Sequence, residues 1–175
     1  MSNDVVECAQ MHNSKHVVKM ILETAQLLCS AHHLHPYFKL PSKFYKLTHK
    51  NHPSAIWTRT GLKNYLWLAS HGMELCREYT HRYNKVHATT IVMDWLYNHY
   101  PDIKFSVDFT EPPQCMPDDC KREFAIDGYR NYYRYKKDNM IMKWNRIHGI
   151  VCESRHSVSR RTRRSGRSNC SQGCL

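Results

Sequence analysis

From Ser14 to His33 no glycine or proline interrupts the chain, and Val17, Val18, Ile21, Leu22, Ala25, Leu28 and Cys29 recur at three- and four-residue steps. That period predicts an amphipathic helix, with Asn13 or Ser14 capping its first free N–H groups. Lys15, Lys19, Glu23 and Gln26 fall on a stripe beside the apolar face.

The same pattern returns downstream. Leu62, Tyr65, Leu66, Ala69, Met73, Cys76 and Tyr83 trace one face of a helix over about Gly61 to Tyr83, with Glu74–Arg77 and Glu78–Arg82 spaced to pair on the solvent side. A third helix is expected from His87 to His99, ending before Pro101. A fourth opens at Asp118 and Asp119, acids at its positive end, and runs to about Lys137, offering Phe124, Ala125, Tyr129, Tyr132 and Tyr133 for packing. Between these, His49-Lys50-Asn51-His52-Pro53 reads as a polar turn in which Pro53 can start a helix, Ile103 to Phe109 alternates like a short strand, and Thr110 to Pro117 reads as an irregular loop. One strand without a partner makes no sheet. The expected fold is all-α: a single compact domain over residues 1–150 with about four main helices.

Among 175 residues, 41% hydrophobic and 11% aromatic content suffices for a core. After Ile150 the composition turns to Ser, Arg, Gly and Asn, so residues 151–175 are expected to form a disordered basic tail. That tail dominates the charge. From Ser154 onward there are six arginines and no acid, leaving 20 basic against 15 acidic residues elsewhere, so +5 of the total +11 belongs to the rest of the chain. Such a core is compatible with nucleic acid without demanding it. No apolar run reaches the roughly 18 residues of a membrane span, and the first residues lack a signal-peptide core. An intracellular protein, not secreted and not membrane-bound, is therefore expected. The eight cysteines are scattered and read as thiols, with Cys29 and Cys76 in the core and Cys170 and Cys174 exposed in the tail. Gln172 stands where a prenylated cysteine would be needed.

Glu23 is the first candidate for chemistry. It lies near the middle of the best helix beside the apolar stripe, where a carboxylate at a pocket edge can act as a general acid or base. The competing reading is a surface ion pair with Lys19, four residues before it. The histidines invite a metal reading at His32-His33-x-His35, at His12 with His16, and at His49 with His52. None follows a recurrent zinc pattern, no cysteines are spaced CxxC, and no metal or cofactor is expected. His49, Lys50 and His52 with Trp57 and Arg59 mix donors and an aromatic in the manner of surfaces that hold phosphate and stack bases. The run Tyr129 to Lys137 does likewise, with Arg130, Arg134 and Lys137 on one stripe; a solvated basic face is the alternative for both segments.

The blocks KHVVKMILETAQLL (Lys15–Leu28), HKNHPSAIW (His49–Trp57), PPQCMPD (Pro112–Asp118), YRNYY (Tyr129–Tyr133) and Lys143-Trp144 resemble a group of phage and large-virus proteins over about residues 8 to 146. The order of elements more distantly resembles the phage pyrimidine-dimer DNA glycosylases of the endonuclease V type. Those are small helical proteins that attack a nucleotide with their N-terminal amine, assisted by a glutamate on the first long helix. The resemblance implies a DNA glycosylase/AP lyase acting on DNA. Glu23 falls at that glutamate, His16 at a histidine of the same helix, and Ser2 becomes the terminal residue if Met1 is removed. The nucleophile would be the Ser2 amine or Lys19, with Trp57 or the tyrosine-rich helix supporting base extrusion and Lys15, His16, Lys50, Arg59 and Arg130 holding phosphates. Leu22, Gln26 and Asn3 replace arginines of those enzymes, which removes the basis for dimer specificity, and Ser2 to Val6 replaces a longer strand-like segment of the viral group. The rival class is a non-catalytic nucleic-acid-binding or virion accessory protein in which the arginine tail supplies the affinity.

Overall fold

The computed structural model describes residues 1–37, 39–103 and 108–139, without the side chains of 137–139. The basic tail, Cys170, Cys174, Lys143-Trp144 and most of the alternating Ile103–Phe109 segment lie outside the described residues. Among the described residues six α-helices follow one another: α1 (Val5–Met11), α2 (Ser14–His33), α3 (Pro53–Thr60), α4 (Leu62–Tyr83), α5 (Thr90–Asn98) and α6 (Ala125–Asn139), with a 3-10 turn at Asp118–Cys120. No strand occurs among the described residues. The domain is all-α, and none of its described helices is long and apolar enough to cross a membrane.

The pair α2 and α4 forms the centre. Val17, Ile21, Ala25, Leu28 and Cys29 of α2 are fully buried against Tyr65, Ala69, Leu75 and Cys76 of α4, with Met93 and Leu96 of α5 closing the side. Each such large apolar side chain contributes about 1.5–3 kcal/mol on burial. Gly72 permits the close approach: a Cβ there would stand 2.3 Å from Met93 Cε and 2.9 Å from Thr24 Cγ2. The Asn13 side chain, rather than Ser14, caps α2 by accepting from the His16 N–H at 3.0 Å. Asn84, in the left-handed region at φ 50°, ends α4.

Three polar devices fix the shorter elements to this pair. Asn64, buried on α4, donates to Trp57 O (3.2 Å) and Thr110 Oγ1 (2.9 Å) and accepts from the Thr110 N–H (2.9 Å), so its amide joins α3, α4 and the chain after α5. Tyr65 donates its hydroxyl to Leu96 O at 3.1 Å and meets His32 Nε2 at 2.7 Å, which ties α5 to α2. Arg82 does the most. With a fully buried side chain it bonds Glu78 Oε1 at 2.5 Å, His12 O at 2.7 Å and Gln10 O at 2.9 Å.

The structure departs from the sequence reading in four places. Residues Val5–Met11 form a helix capped by Asp4, whose carboxylate accepts from the Glu7 N–H at 2.8 Å. The Glu78–Arg82 pair lies inside the protein rather than on its surface, because Gln10 and His12 bring α1 over it. The helix expected from His87 begins only at Thr90, whereas Pro53 starts a helix, α3, as its place in the sequence allows, and Gly61 divides it from α4. The last helix begins at Ala125, not Asp118; Glu111 caps it by accepting from the Ala125 N–H at 2.8 Å, and Phe124 is left exposed.

Two expectations follow for stability. Replacing Arg82 with Ala leaves the Glu78 carboxylate and two carbonyls buried without a partner, so urea denaturation should show a loss of about 3–5 kcal/mol; an effect under about 1 kcal/mol would contradict this role. His32 is held neutral by burial, its pKa pushed down from 6.5 to about 4. The unfolded chain therefore binds the extra proton first as pH falls, and the contribution of His32, complete above pH 6.5, is lost as pH falls toward about 4. Urea midpoints measured from pH 7 to pH 4 should fall less steeply in His32→Gln than in the natural chain.

Candidate functional site

The α2 stripe that carries Glu23 opens on a cleft of about 500 Å³. One wall is α2, with His16, Lys19, Glu23 and Gln26; the opposite wall is α6, with Tyr129, Tyr132, Tyr133 and Lys136. Thr48, His49, His52 and Ser54 close one end, and Met1 and His12 line the cleft as well. Glu23 is the single carboxylate among the described residues that line it.

Local chemistry explains how α6 comes to face α2. The side-chain amide of Gln114 clasps the backbone of Arg122 in both directions, donating to its carbonyl at 2.6 Å and accepting from its N–H at 2.9 Å. Gly128 leaves room for this, since a Cβ there would meet Gln114 Oε1 at 2.0 Å. Tyr129 donates to Pro113 O at 2.8 Å, and burial pushes its hydroxyl up to about 12. The proline loop and the tyrosine helix are thus one unit. Tyr133 joins it to α2 through a short hydrogen bond to His16 Nδ1, and Arg130 Nε donates to Met1 O at 2.9 Å.

The electrostatics are dominated by desolvation. Burial lowers the pKa of His16, and Lys136 and Lys19 lower it further, so its imidazole is neutral at pH 7 and available for proton exchange. Burial also lowers the Met1 amine below its ordinary value, with Arg130 adding to the effect against the opposing influence of Cys8. The Tyr133 hydroxyl is raised by burial and remains protonated.

The sequence-derived residues divide between this cleft and other duties. Glu23, Lys19, His16, His49 and His52 come together in it. Lys19 Nζ and Glu23 Oε1 are 2.9 Å apart, with side chains 68% and 39% exposed, so the surface ion pair and the pocket-edge position coexist. Ser2 lines the adjoining smaller cavity, and its hydroxyl accepts from the Asp4 N–H at 3.2 Å. Lys15, Lys50, Arg130 and Arg134 are exposed. Arg59 is engaged with Lys50 O at 2.8 Å and holds the turn in which His49 adopts φ 49°. Trp57 is no surface platform: it is 8% exposed, donates Nε1 to Thr110 O at 3.0 Å, and packs edge-on against Trp67 and Phe109. Tyr132 of α6 lines the cleft, with Lys136 Nζ 4.7 Å above its ring.

The run His32-His33-x-His35 does not converge. His32 turns to Tyr65, His33 to Tyr45 O at 2.9 Å and His35 to Asp102 O at 3.0 Å. A different group does converge: Cys8, His12 and His71, all buried, bring their ligand atoms within 4.8 Å of one another. They line the smaller cavity of about 160 Å³, which shares Met1, His12 and Tyr129 with the cleft. Cys8 lies in α1 and His12 at its C-cap, four residues on, and α1 is too short for an apolar stripe to mark it. His71 carries no local signal. Cys115, exposed in the proline loop, is a further thiol of the cleft, 3.6 Å from Ser54 Oγ.

No family model, curated protein or solved structure matches this chain.

Proposed function

We propose that the chain is a nucleic-acid-directed enzyme of the DNA glycosylase/AP lyase type, with its active centre in the cleft between α2 and α6. The observation that carries this reading is that Met1, whose main-chain amine is partly desolvated, and Glu23 line the same cleft, together with Lys19 and Lys136. An unprotonated amine is a nucleophile, a single carboxylate can shuttle its protons, and lysines at the rim suit a phosphate backbone. Lys19 is the weaker candidate nucleophile, because its side chain is largely solvated.

In this mechanism the amine, on Met1 or on Ser2 once Met1 is removed, attacks C1′ of an extruded nucleotide and the bond from C1′ to the base breaks. The departing base takes a proton from water. Glu23 accepts the proton released by the attached nitrogen, then returns it to the ring oxygen as the sugar opens, leaving an iminium at C1′. Tyr132 stacks on the base, while Lys19, Lys136, His49 and His52 hold the flanking phosphates. Lys15, Lys50, Arg130 and Arg134 extend the contact along the strand.

Borohydride should trap the full chain, with its N-terminus verified by mass spectrometry, on DNA containing an abasic site. Absence of any adduct would end the lyase reading. Glu23→Gln should fold with a stability change of at most about 0.5 kcal/mol, since the lost ion pair is exposed, and still bind DNA while turnover drops about 100-fold or more. The pH at which turnover is half-maximal on its alkaline rise should also fall below the ordinary α-amine range of about 7.7–8.0, because burial lowers the pKa of the Met1 amine. Deleting residues 154–175 separates the rival class: a truncated chain with neither affinity nor turnover would make this a tail-driven binding protein.

A further inference from the structure

Outside the proposed catalytic amine and carboxylate, the described residues bring ligating side chains together in a buried group between α1 and α4. We infer that Cys8, His12 and His71 bind a divalent transition-metal ion of the zinc class, leaving a fourth coordination position open to the adjoining cavity. One thiolate and two imidazoles form a borderline-soft set suited to zinc, and three protein ligands with an open position are the arrangement in which zinc retains an exchangeable water.

The surroundings prepare the two histidine ligands. His12 Nδ1 lies 2.8 Å from the Cys8 carbonyl; donating there, it leaves the lone pair on Nε2 and fixes the ring. The His71 ring stacks on Trp67 at a centroid distance of 5.2 Å and 18° between planes, and Trp67 is itself held by donating to Asn3 O at 2.9 Å. His71 Nε2 is buried without a hydrogen-bond partner, an expensive condition for a polar atom that coordination would relieve. Arg82 anchors the carbonyls of Gln10 and His12, so the end of α1 that presents His12 is fixed before any ion arrives.

The dimensions are close to those required. Ligand atoms around a tetrahedral zinc ion stand about 3.3–3.6 Å apart, as follows from bonds of about 2.3 Å to sulfur and 2.0–2.1 Å to nitrogen. The observed limit of 4.8 Å calls for an inward movement of about 1 Å, within the reach of side-chain rotation. The cavity of about 160 Å³ beside the cluster has room for a water or a small ligand at the fourth position.

Cobalt(II) titration of the reduced, chelator-treated full chain tests the site without any assay of activity. A thiolate-to-cobalt charge-transfer band should saturate near one equivalent, accompanied by the intense visible bands of a tetrahedral ion, and zinc should displace it. Cys8→Ala should abolish the charge-transfer band, whereas Cys115→Ser and the Cys170→Ser/Cys174→Ser double variant should keep it. His71→Gln should weaken zinc binding about 100-fold or more. X-ray absorption at the zinc edge of the natural chain gives a reading free of variants: one sulfur and two imidazole nitrogens are expected. A charge-transfer band that survives Cys8→Ala, a zinc shell lacking sulfur, or no saturable binding would each overturn the assignment.

Discussion

The placement of everything near the N-terminus depends on a buried arginine. Arg82 is fully buried on α4 and engages a carboxylate and two main-chain carbonyls. Taking a guanidinium out of water costs several kcal/mol unless its donors are satisfied, so the geometry that satisfies them is strongly selected. Here that geometry is the end of α1, whose carbonyls have no helical partners of their own. Fastening Gln10 and His12 to α4 fixes the direction of α1, and with it the positions of Cys8 and His12. The residues before α1 then lie where Met1 reaches both cavities and Arg130 of α6 can take the Met1 carbonyl.

A second constraint assembles the opposite wall. α6 has few buried apolar side chains among its described residues, with Ala125 the clearest, and is positioned by polar fasteners: Glu111 at its first N–H, Gln114 against Arg122, Tyr129 on Pro113 and Tyr133 on His16. This arrangement gives a common purpose to segments far apart in sequence. The long α2 block, the histidine turn, the proline loop and the tyrosine run all contribute to one cleft. Desolvation there acts selectively, favouring neutral nitrogen at Met1 and His16 and protonated hydroxyls on the tyrosines. Neutral nitrogen bases beside hydroxyl donors are suited to moving protons.

Sequence periodicity revealed the long helices because their apolar residues fill a whole face: α2 has the expected limits, and α4 differs only at its first residue. It missed α1, where seven residues span barely two turns and the apolar positions form no stripe. Spacing also cannot measure depth. Glu74–Arg77 and Glu78–Arg82 look alike in sequence, yet the first arginine is 69% exposed and the second fully buried, because α1 covers only the latter. Trp57 was misplaced for a related reason: its basic neighbours suggest a surface, but on α3 the indole turns toward Thr110 while Ile56 beside it faces water. Glu23 was legible because the stripe beside an apolar helix face is where a cleft edge forms. The meeting of Cys8 and His12 with His71 depends on the packing of α1 against α4, a long-range property that no local spacing encodes.

Glu23 is at once half of an exposed ion pair and a lining residue of the cleft. As half of an exposed ion pair it contributes at most about 0.5 kcal/mol to stability, so the fold makes little demand on its identity. That weak coupling leaves the carboxylate free to change partners at the cleft edge. Arg82 is the opposite case, a charged residue whose partners are wholly internal and whose removal would disturb the scaffold beneath both cavities. The protein therefore separates its charges by depth: the buried pair sets the framework, while the half-exposed pair on the neighbouring helix can break and rotate without loosening what holds it in place.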